Sequence, residues 1–488
     1  MKKGYYAMPT EIKRGNTKLA VKSGFWYVMS TVITKGLAFI TTPIFARMMN
    51  KADYGEFSNF ANWQSLLVIV VSLEMYNTLS RAFYDYRDDY EQYASTVTIT
   101  GIITSVVFYV FILLNGSWIY KLIAIPPEFV HLMFFTILCQ GARQVFLTKE
   151  RTLYRYKSVA FISVISLVIP TLLSIVIVYN VQESERLSAR MYGFYIPYAL
   201  IGLCCAIDLI RKGKCFKLSH LKYALVLAMP LLVHYLTTYV LSSTNTIFAK
   251  SILGPETAAI ISIITSIMNL LTILFQSVTG AMTTYIMDNL ETKDYSKVKS
   301  CLTLLAVGSA VISCGLIIFG PEVVRIIGGS KYASAVSLIP VSVLAIFFQI
   351  LTSSLAIILT YDKNVVKTAI YTSIIAIVSV ILKVMLLKNC GYEILPVINA
   401  SAFIMTLIVN SILVCKAGYK TCIDFKKVLG IVILMVGFTL IAPILYKYQM
   451  LRYIVIGLIV VAFTIVLVIK RNFWLPMVKK YMKKSESK

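Results

Sequence analysis

Histidine, acidic residues and polar linkers are all scarce in this 488-residue sequence, and each scarcity closes off a class of function. There are three histidines, and the nine cysteines (Cys139, Cys204, Cys205, Cys215, Cys301, Cys314, Cys390, Cys415 and Cys422) include no CxxC pair. No metal cluster can be assembled from them at a recognisable spacing. Lying mostly within or beside apolar runs, the cysteines read as small buried hydrophobes. Charged residues make up 14% of the chain, where a soluble domain carries about a quarter. The deficit extends along the whole length, which excludes a soluble domain on a single anchor. Long polar loops and low-complexity tracts are missing as well, leaving no room for an extramembrane catalytic domain. The expectation is therefore of a chain that is no enzyme and needs no cofactor. Asp85, Asp88 and Asp89 form the one acidic cluster, and it reads as a solvated turn. A polyprenyl-dependent glycosyltransferase or polymerase would need more.

What the chain has in abundance is apolar length. Hydrophobic residues reach 58% and the mean hydropathy is +0.79. Runs of spanning length lie near 23–46, 57–80, 95–114, 129–147, 159–180, 191–210, 223–248, 257–286, 300–320, 334–360, 367–387, 394–415, 428–446 and 452–469. A membrane-spanning helix needs about 20 apolar residues, so the expectation is an all-α integral membrane protein of about fourteen helices. Lipid offers the backbone no hydrogen-bond partner, which makes each run helical. Alternation is absent, which excludes an outer-membrane barrel. The run at 257–286 is long enough to tilt strongly or to project from the bilayer. The first run is too long for a signal-peptide core and reads as an uncleaved signal anchor.

The net charge of +25 is carried in short segments between runs and not on one folded face, which argues against nucleic acid and for topology signals and lipid head groups. With the N-terminus in the cytoplasm, inner segments hold 33 Lys and Arg and outer loops 12. That excess predicts both termini inside. A faint repeat relates Ile44-Phe45-Ala46-Arg47 at the end of span one to Ile247-Phe248-Ala249-Lys250 at the end of span seven. Parallel repeats of six helices around a shared cavity would produce it. The expected organisation is a first lobe at 1–221, a second at 222–427, and two further spans with a basic tail at 428–488.

Ionisable groups deep in a span cost about 2.5–3.5 kcal/mol each and ask for a reason. Lys35 lies near the middle of span one. Span two carries Glu74, Asn77, Thr78 and Arg81 at helical spacing, and Glu74 with Arg81 could form a structural pair. Span four carries Thr136, Gln140, Arg143 and Gln144. Arg47 and Arg81 lie near span ends, where they could also snorkel. Span seven offers His234, Thr237, Thr238, Ser242 and Asn245 behind Pro230. Span eight has the most regular stripe: Ser262, Thr265, Asn269, Thr272, Gln276, Thr279 and Thr283. Such stripes either glue helices together or line a cavity. The basic residues give the first lobe a net positive interior, suited to phosphate or diphosphate. The hydroxyls and amides of the second lobe suit sugar.

These residues also carry a resemblance. Pro43-Ile44-Phe45-Ala46-Arg47-Met48-Met49 followed by Asp53-Tyr54-Gly55 is similar to the P-x-x-x-R-x-L…E-Y-G signature of the polysaccharide and O-antigen flippases, in the multidrug/oligosaccharidyl-lipid/polysaccharide exporter superfamily. Pro230, Gly254 to Ser262, Tyr332 to Pro340, Gly391 and Asn399-Ala400 extend the likeness over residues 20–415. The resemblance implies two six-helix lobes working by alternating access. It implies movement of a polyprenyl-diphosphate-linked oligosaccharide from the inner to the outer leaflet of a bacterial cytoplasmic membrane. The diphosphate would be held by Lys35, Arg81, Arg143 and Arg47; Glu74, Asn77, Gln140, His234, Asn245, Asn269 and Gln276 would be the polar, sugar-facing set. Membrane lipids, a coupling H+ or Na+, and a polymerase or glycosyltransferase are the partners it suggests. Two departures stand out. Thr244-Asn245-Thr246 replaces the relatives' S-D-R, and Lys383 stands where they often have Asn. A cation-coupled multidrug exporter and a lipid II flippase are the rival readings.

Overall fold

The computed structural model describes residues 17–362, 365–448, 450 and 452–454. Residues 455–488, with most of the fourteenth run and the basic tail, lie outside these, as does the side chain of Lys35. Within the described residues the helices are α1 (Thr17–Met48), α2 (Lys51–Ser72), α3 (Leu79–Asp85), α4 (Tyr90–Leu114), α5 (Gly116–Ile123), α6 (Pro127–Thr152), α7 (Tyr156–Asn180), α8 (Arg186–Gly213) and α9 (Leu218–Ser243). They continue as α10 (Asn245–Leu253), α11 (Pro255–Glu291), α12 (Tyr295–Ile318), α13 (Gly320–Ile327), α14 (Ile339–Tyr361), α15 (Val365–Cys390), α16 (Ile394–Lys416) and α17 (Phe425–Lys447). Among the described residues eleven helices are long and apolar enough to cross a membrane, or twelve with the bent pair α2–α3 taken as one span.

Local chemistry sets the boundaries. Asn50 caps α2 by accepting from the Asp53 amide (2.8 Å), satisfying a donor that the first turn leaves free. Pro127 and Pro255 open α6 and α11, where a missing N–H costs nothing. Gly254, at φ 99°, lets α10 reverse directly into α11. With 37 residues, α11 is about 55 Å long at roughly 1.5 Å per residue, well beyond the ~30 Å hydrocarbon core.

Packing inverts the soluble pattern. The buried face of α4 is rich in hydroxyls (Ser95, Thr96, Thr98, Thr100 and Ser105), while Val107, Val110, Phe111 and Leu114 are exposed. Small residues let membrane helices approach, and the outer surface is solvated by lipid tails. Thr96, Thr98 and Thr100 each bond a carbonyl one turn back, so their hydroxyls need no outside partner.

The helices fall into two packing groups. In the first, α8 packs on α4, α6 and α7, and α1 packs on α7; in the second, α14 packs on α11, α12 and α16, and α15 on α16. The groups meet chiefly where α2 lies on α11. Two helices bridge them: α9 packs on α2 and α4 as well as on α15 and α16, and α10 packs on α2 as well as on α11 and α15.

One span expected to be continuous is sharply broken. Span two stops at Leu73 and Glu74, both left-handed (φ 50° and 54°), and resumes after a 3-10 turn, Met75–Thr78, as α3 at 56° to α2. The helical spacing that aligned Glu74 with Arg81 therefore does not hold, and the expected pair between them does not form. Span seven passes from α9 into α10 through Thr244, which keeps right-handed helical backbone (φ −81°, ψ −7°).

Candidate functional site

At one end of the bundle the two groups are clasped together. Phe45, Ala46, Met49 and Tyr54 from the α1–α2 corner are buried in one apolar cluster with Ile260, Ile263, Ile264 and Ile267 of α11. Gly55 lies against the Pro255 carbonyl, where a Cβ would stand 1.8 Å from the oxygen. Polar links run around this contact. Lys250 pairs with Glu56, Lys331 donates to the Met49 carbonyl (2.5 Å), and Arg186 donates to the Met48 carbonyl (2.5 Å). The Tyr54 and Tyr332 rings meet edge-on at 6.2 Å.

Just beneath the clasp a cavity of about 340 Å3 separates α1 from α11, lined by Phe39 and Thr42 on one side and Ser266, Asn269, Thr272 and Gln276 on the other. The span-eight stripe thus faces a cavity over its middle stretch, where Asn269 and Gln276 supply amides. Their neighbours look after themselves: Thr265, Thr272, Thr279 and Thr283 return their hydroxyls to α11's own carbonyls. The free polar capacity at this wall lies in amides, which donate and accept as sugar hydroxyls require.

The first group carries cations in its interior. Arg143 on α6 is half-buried; its Nη2 donates to Tyr198 Oη of α8 (2.7 Å), its guanidinium lies 5.0 Å from that ring, and its Nε is buried with no partner among the described residues. One turn away Gln140 accepts from Gln64 of α2 (3.0 Å). Nearer the clasp, buried Arg190 of α8 stacks on Phe45 (3.2 Å) and Phe57 (4.4 Å) and donates to Ser174 Oγ (3.0 Å). Neither arginine pairs with a carboxylate among the described residues, so two positive charges are held by π faces and hydroxyls alone.

The other expected site residues are dispersed. Arg47 is exposed at the clasp end and donates to Pro43 O (3.0 Å) and to Ile326 O (2.7 Å) at the end of α13. Arg81 lies beyond the opposite end of α2, 70% exposed, with Nε on Asp85 (3.0 Å). Glu74 is buried at the α2 break and accepts from Asn77 (2.6 Å). His234 is exposed on α9 and Asn245 opens α10. Among the described residues of the set, only Asn269 and Gln276 line this cavity.

Counting basic residues by segment hid the burial of several cations, Arg190, Lys383 and Lys149 among them. Arg190 and Lys383 fell in segments counted as outer loops, and Lys149 in an inner one. Yet Lys149 is 0% exposed and pairs with Glu91 (2.5 Å), and Lys383 is 0% exposed. No sequence signal finds Arg190: its aromatic partners Phe45 and Phe57 flank the short α1–α2 corner, and nothing in one dimension links that corner to residue 190. Among the described residues no group of His, Cys, Asp and Glu could hold a metal ion.

Three comparisons bear on this arrangement. The model of a family described as "Polysaccharide biosynthesis protein" matches residues 20–283, more than half of the chain. No curated protein matches. Among solved structures, one titled "Lipid II flippase MurJ, inward closed conformation" aligns at TM-score 0.65 and 15% identity, covering 93% of this chain and 99% of its own. A multidrug resistance MATE family transporter of the MOP superfamily aligns in an inward-facing conformation at TM-score 0.52 and 13% identity (81% and 95% covered). An outward-facing one aligns at 0.53 and 12% (81% and 96%). The chain therefore shares its fold with these multi-pass membrane proteins.

Proposed function

We propose that this chain, which belongs to the polysaccharide biosynthesis protein family, is a flippase that carries a polyprenyl-diphosphate-linked oligosaccharide across the bacterial cytoplasmic membrane. The observation that carries the reading is Arg143: a mid-membrane guanidinium with no carboxylate and a buried, unpartnered Nε. A cation left so incompletely satisfied in lipid is costly, and a diphosphate would complete it by charge and by bidentate hydrogen bonding. Lys35, a second cation at mid-span in α1, shares the proposed role. Arg47 and Arg81, engaged elsewhere, would act at the two ends of the path. The amides of Asn269 and Gln276 would meet sugar hydroxyls, while the lipid tail stays in the bilayer.

Both termini are proposed to be cytoplasmic, which makes the clasp the outer gate and the described conformation closed to the outside. The lobes are proposed as 1–221 and 222–427, with 428–488 appended. Transport would then alternate between parting the clasp and closing the opposite end. An inside-negative potential helps a dianionic head outward by roughly 2.3 kcal/mol per charge per 100 mV.

The test is flipping of a lipid-diphosphate-linked oligosaccharide in proteoliposomes, comparing wild type, Arg143→Ala and Arg143→Lys. Wild type should flip, Arg143→Ala should lose at least tenfold while keeping its thermal stability, and Arg143→Lys should retain part. Export of cationic dyes without flipping, or equal flipping by all three proteins, would overturn the reading.

A further inference from the structure

Four cations surround the corner between α1 and α2. Arg47 lies in the last turn of α1 and Lys51 opens α2. Arg186 reaches in from the start of α8, and Lys331 from the 3-10 segment Ser330–Leu338 that leads into α14. Part of this charge caps helix ends. Arg186 and Lys331 bond the Met48 and Met49 carbonyls where α1 stops, and Arg47 bonds the Ile326 carbonyl where α13 stops. Cations are favoured at such ends. Capping accounts for Arg47 and for one N–H each of Arg186 and Lys331. It accounts for nothing of Lys51.

Lys51 is the first residue of α2, where a positive charge opposes the helix dipole. Among the described residues it has no hydrogen-bond or carboxylate partner; its Nζ stands 6.0 Å from the centre of the Tyr332 ring. Lys331 Nζ stands 5.7 Å from the centre of the same ring. One ring thus gathers two ammoniums, one from each group. Lys51 and Arg47 both act on Lys331 as like charges, a repulsion that the closed clasp has to absorb. The carboxylates in range are Glu183 and Asp53. Asp53 accepts from Asn50 Nδ2 (2.9 Å), and among the described residues neither carboxylate stands in an ion pair with these cations. Arg186 Nε and Tyr332 Oη are buried at the same corner, again with no partner among the described residues.

The surplus at this rim is positive charge and N–H donors. Its complement is a compact anion with several acceptor oxygens. An ammonium has three donors; Lys331 spends one on Met49 and Lys51 spends none, so a phosphate group can accept from both at once. Lys51 belongs to α2 of the first group, and the segment carrying Lys331 packs on α11, α13 and α14 of the second. One anion would therefore tie the groups together.

We propose that Lys51 and Lys331 form a phosphate-binding site on the rim of the clasp, and that a phosphate group bound there holds the two groups shut. Arg47 and Arg186 add positive field while keeping their bonds to the helix ends. When the clasp parts, the two lysines separate and the site is lost. Phosphate then binds one state and not the other, and stabilises the closed state by mass action. The phosphate has two sources, a lipid head group, since the clasp lies at the end of the spans where head groups gather, or a free ion; the recognising chemistry is the same. The site is separate from Arg143 and rests on the clasp, whatever the cargo.

The test uses the full chain with its native cysteines replaced, exchanged into an uncharged, phosphate-free detergent until no lipid phosphorus remains. Spin labels go across the clasp at the exposed positions Gln182→Cys and Ser334→Cys. Inorganic phosphate is titrated in one arm and phosphatidylglycerol in the other, with ionic strength held constant by chloride so that screening is equal throughout. In the wild type the short-distance population should rise with at least one of the two. Lys51→Gln and Lys331→Gln should each need at least about tenfold more titrant, the loss expected for one charge-assisted hydrogen bond. Lys51→Arg and Lys331→Arg should keep most of the response. Lys157→Gln, at the far end of α7, should respond as wild type does. A response to phosphatidylglycerol alone makes the occupant a lipid head group, and a response to inorganic phosphate alone makes it a free ion. A wild type whose distances ignore both, or glutamine variants that respond as wild type does, would overturn the proposal. Failure of oligosaccharide flipping with the phosphate response intact would count against the cargo alone.

Discussion

Gly55→Ala is the substitution with the sharpest expected outcome. The added Cβ would stand 1.8 Å from the Pro255 carbonyl oxygen and 2.7 Å from its carbon, against an ordinary optimum of about 3.5–4 Å. Both atoms are backbone in the first turn of α11, so no rotamer change relieves the clash, and the two helices must part. Overpacking of this kind costs about 1–3 kcal/mol and sometimes more. The same change favours the helix itself by about 1 kcal/mol, which does not offset the upper end of that range. The net is about 2 kcal/mol against the clasped state, or roughly a thirtyfold shift at about 1.4 kcal/mol per decade. The clash exists only where α2 meets α11, so the loss falls on the contact between the groups and not on the packing within either. In a background with the native cysteines replaced, cross-linking between Lys51→Cys and Ser330→Cys should drop steeply. Thermal stability should fall little. Cross-linking at the wild-type level in the Gly55→Ala protein would refute the reasoning, because the clasp would then tolerate a side chain that the geometry forbids.

Gly202→Ala presents the same clash in a different place: its Cβ would stand 2.4 Å from the Cys139 carbonyl oxygen, between α8 and α6 of one group. There the expected result is a loss of about 3 kcal/mol of stability, read as a lowered unfolding midpoint in detergent, with cross-linking across the clasp unchanged. Lys149→Met leaves Glu91 without its partner; because Glu91 is about a third exposed, the expected cost is nearer 1–3 kcal/mol than the 3–5 of a fully buried pair. Adding Glu91→Gln should recover part of it, and a double-mutant cycle showing strict additivity would refute the coupling.

The helical, many-span architecture was legible because lipid imposes a one-dimensional rule, the need for a long apolar run that bonds its own backbone. The stripe on span eight was legible for the same reason: α11 is continuous, so spacing in sequence is spacing on a face, and Asn269, Thr272 and Gln276 do line one cavity. The same logic failed on span two. Leu73 and Glu74 adopt left-handed backbone that no residue type announced, and the break turned Arg81 away from Glu74. Counting basic residues by segment also misfiled Arg190, Lys149 and Lys383, since a residue a few positions from a run's edge can still be buried by a neighbouring helix.

The sequence by itself determined that the chain lives in lipid, folds as apolar helices joined by short connectors, and belongs among polysaccharide biosynthesis proteins. These follow from composition, run length and local motif, none of which needs a partner distant in the chain. Only the tertiary structure decided which charges are satisfied and which are not. Arg47 spends its hydrogen bonds on α13, Arg81 on Asp85 and Lys149 on Glu91, whereas Arg143 and Lys383 keep unused donors in the interior. The value of an ionisable group in a membrane depends on what surrounds it in three dimensions, and that surrounding is assembled from helices separated by many tens of residues.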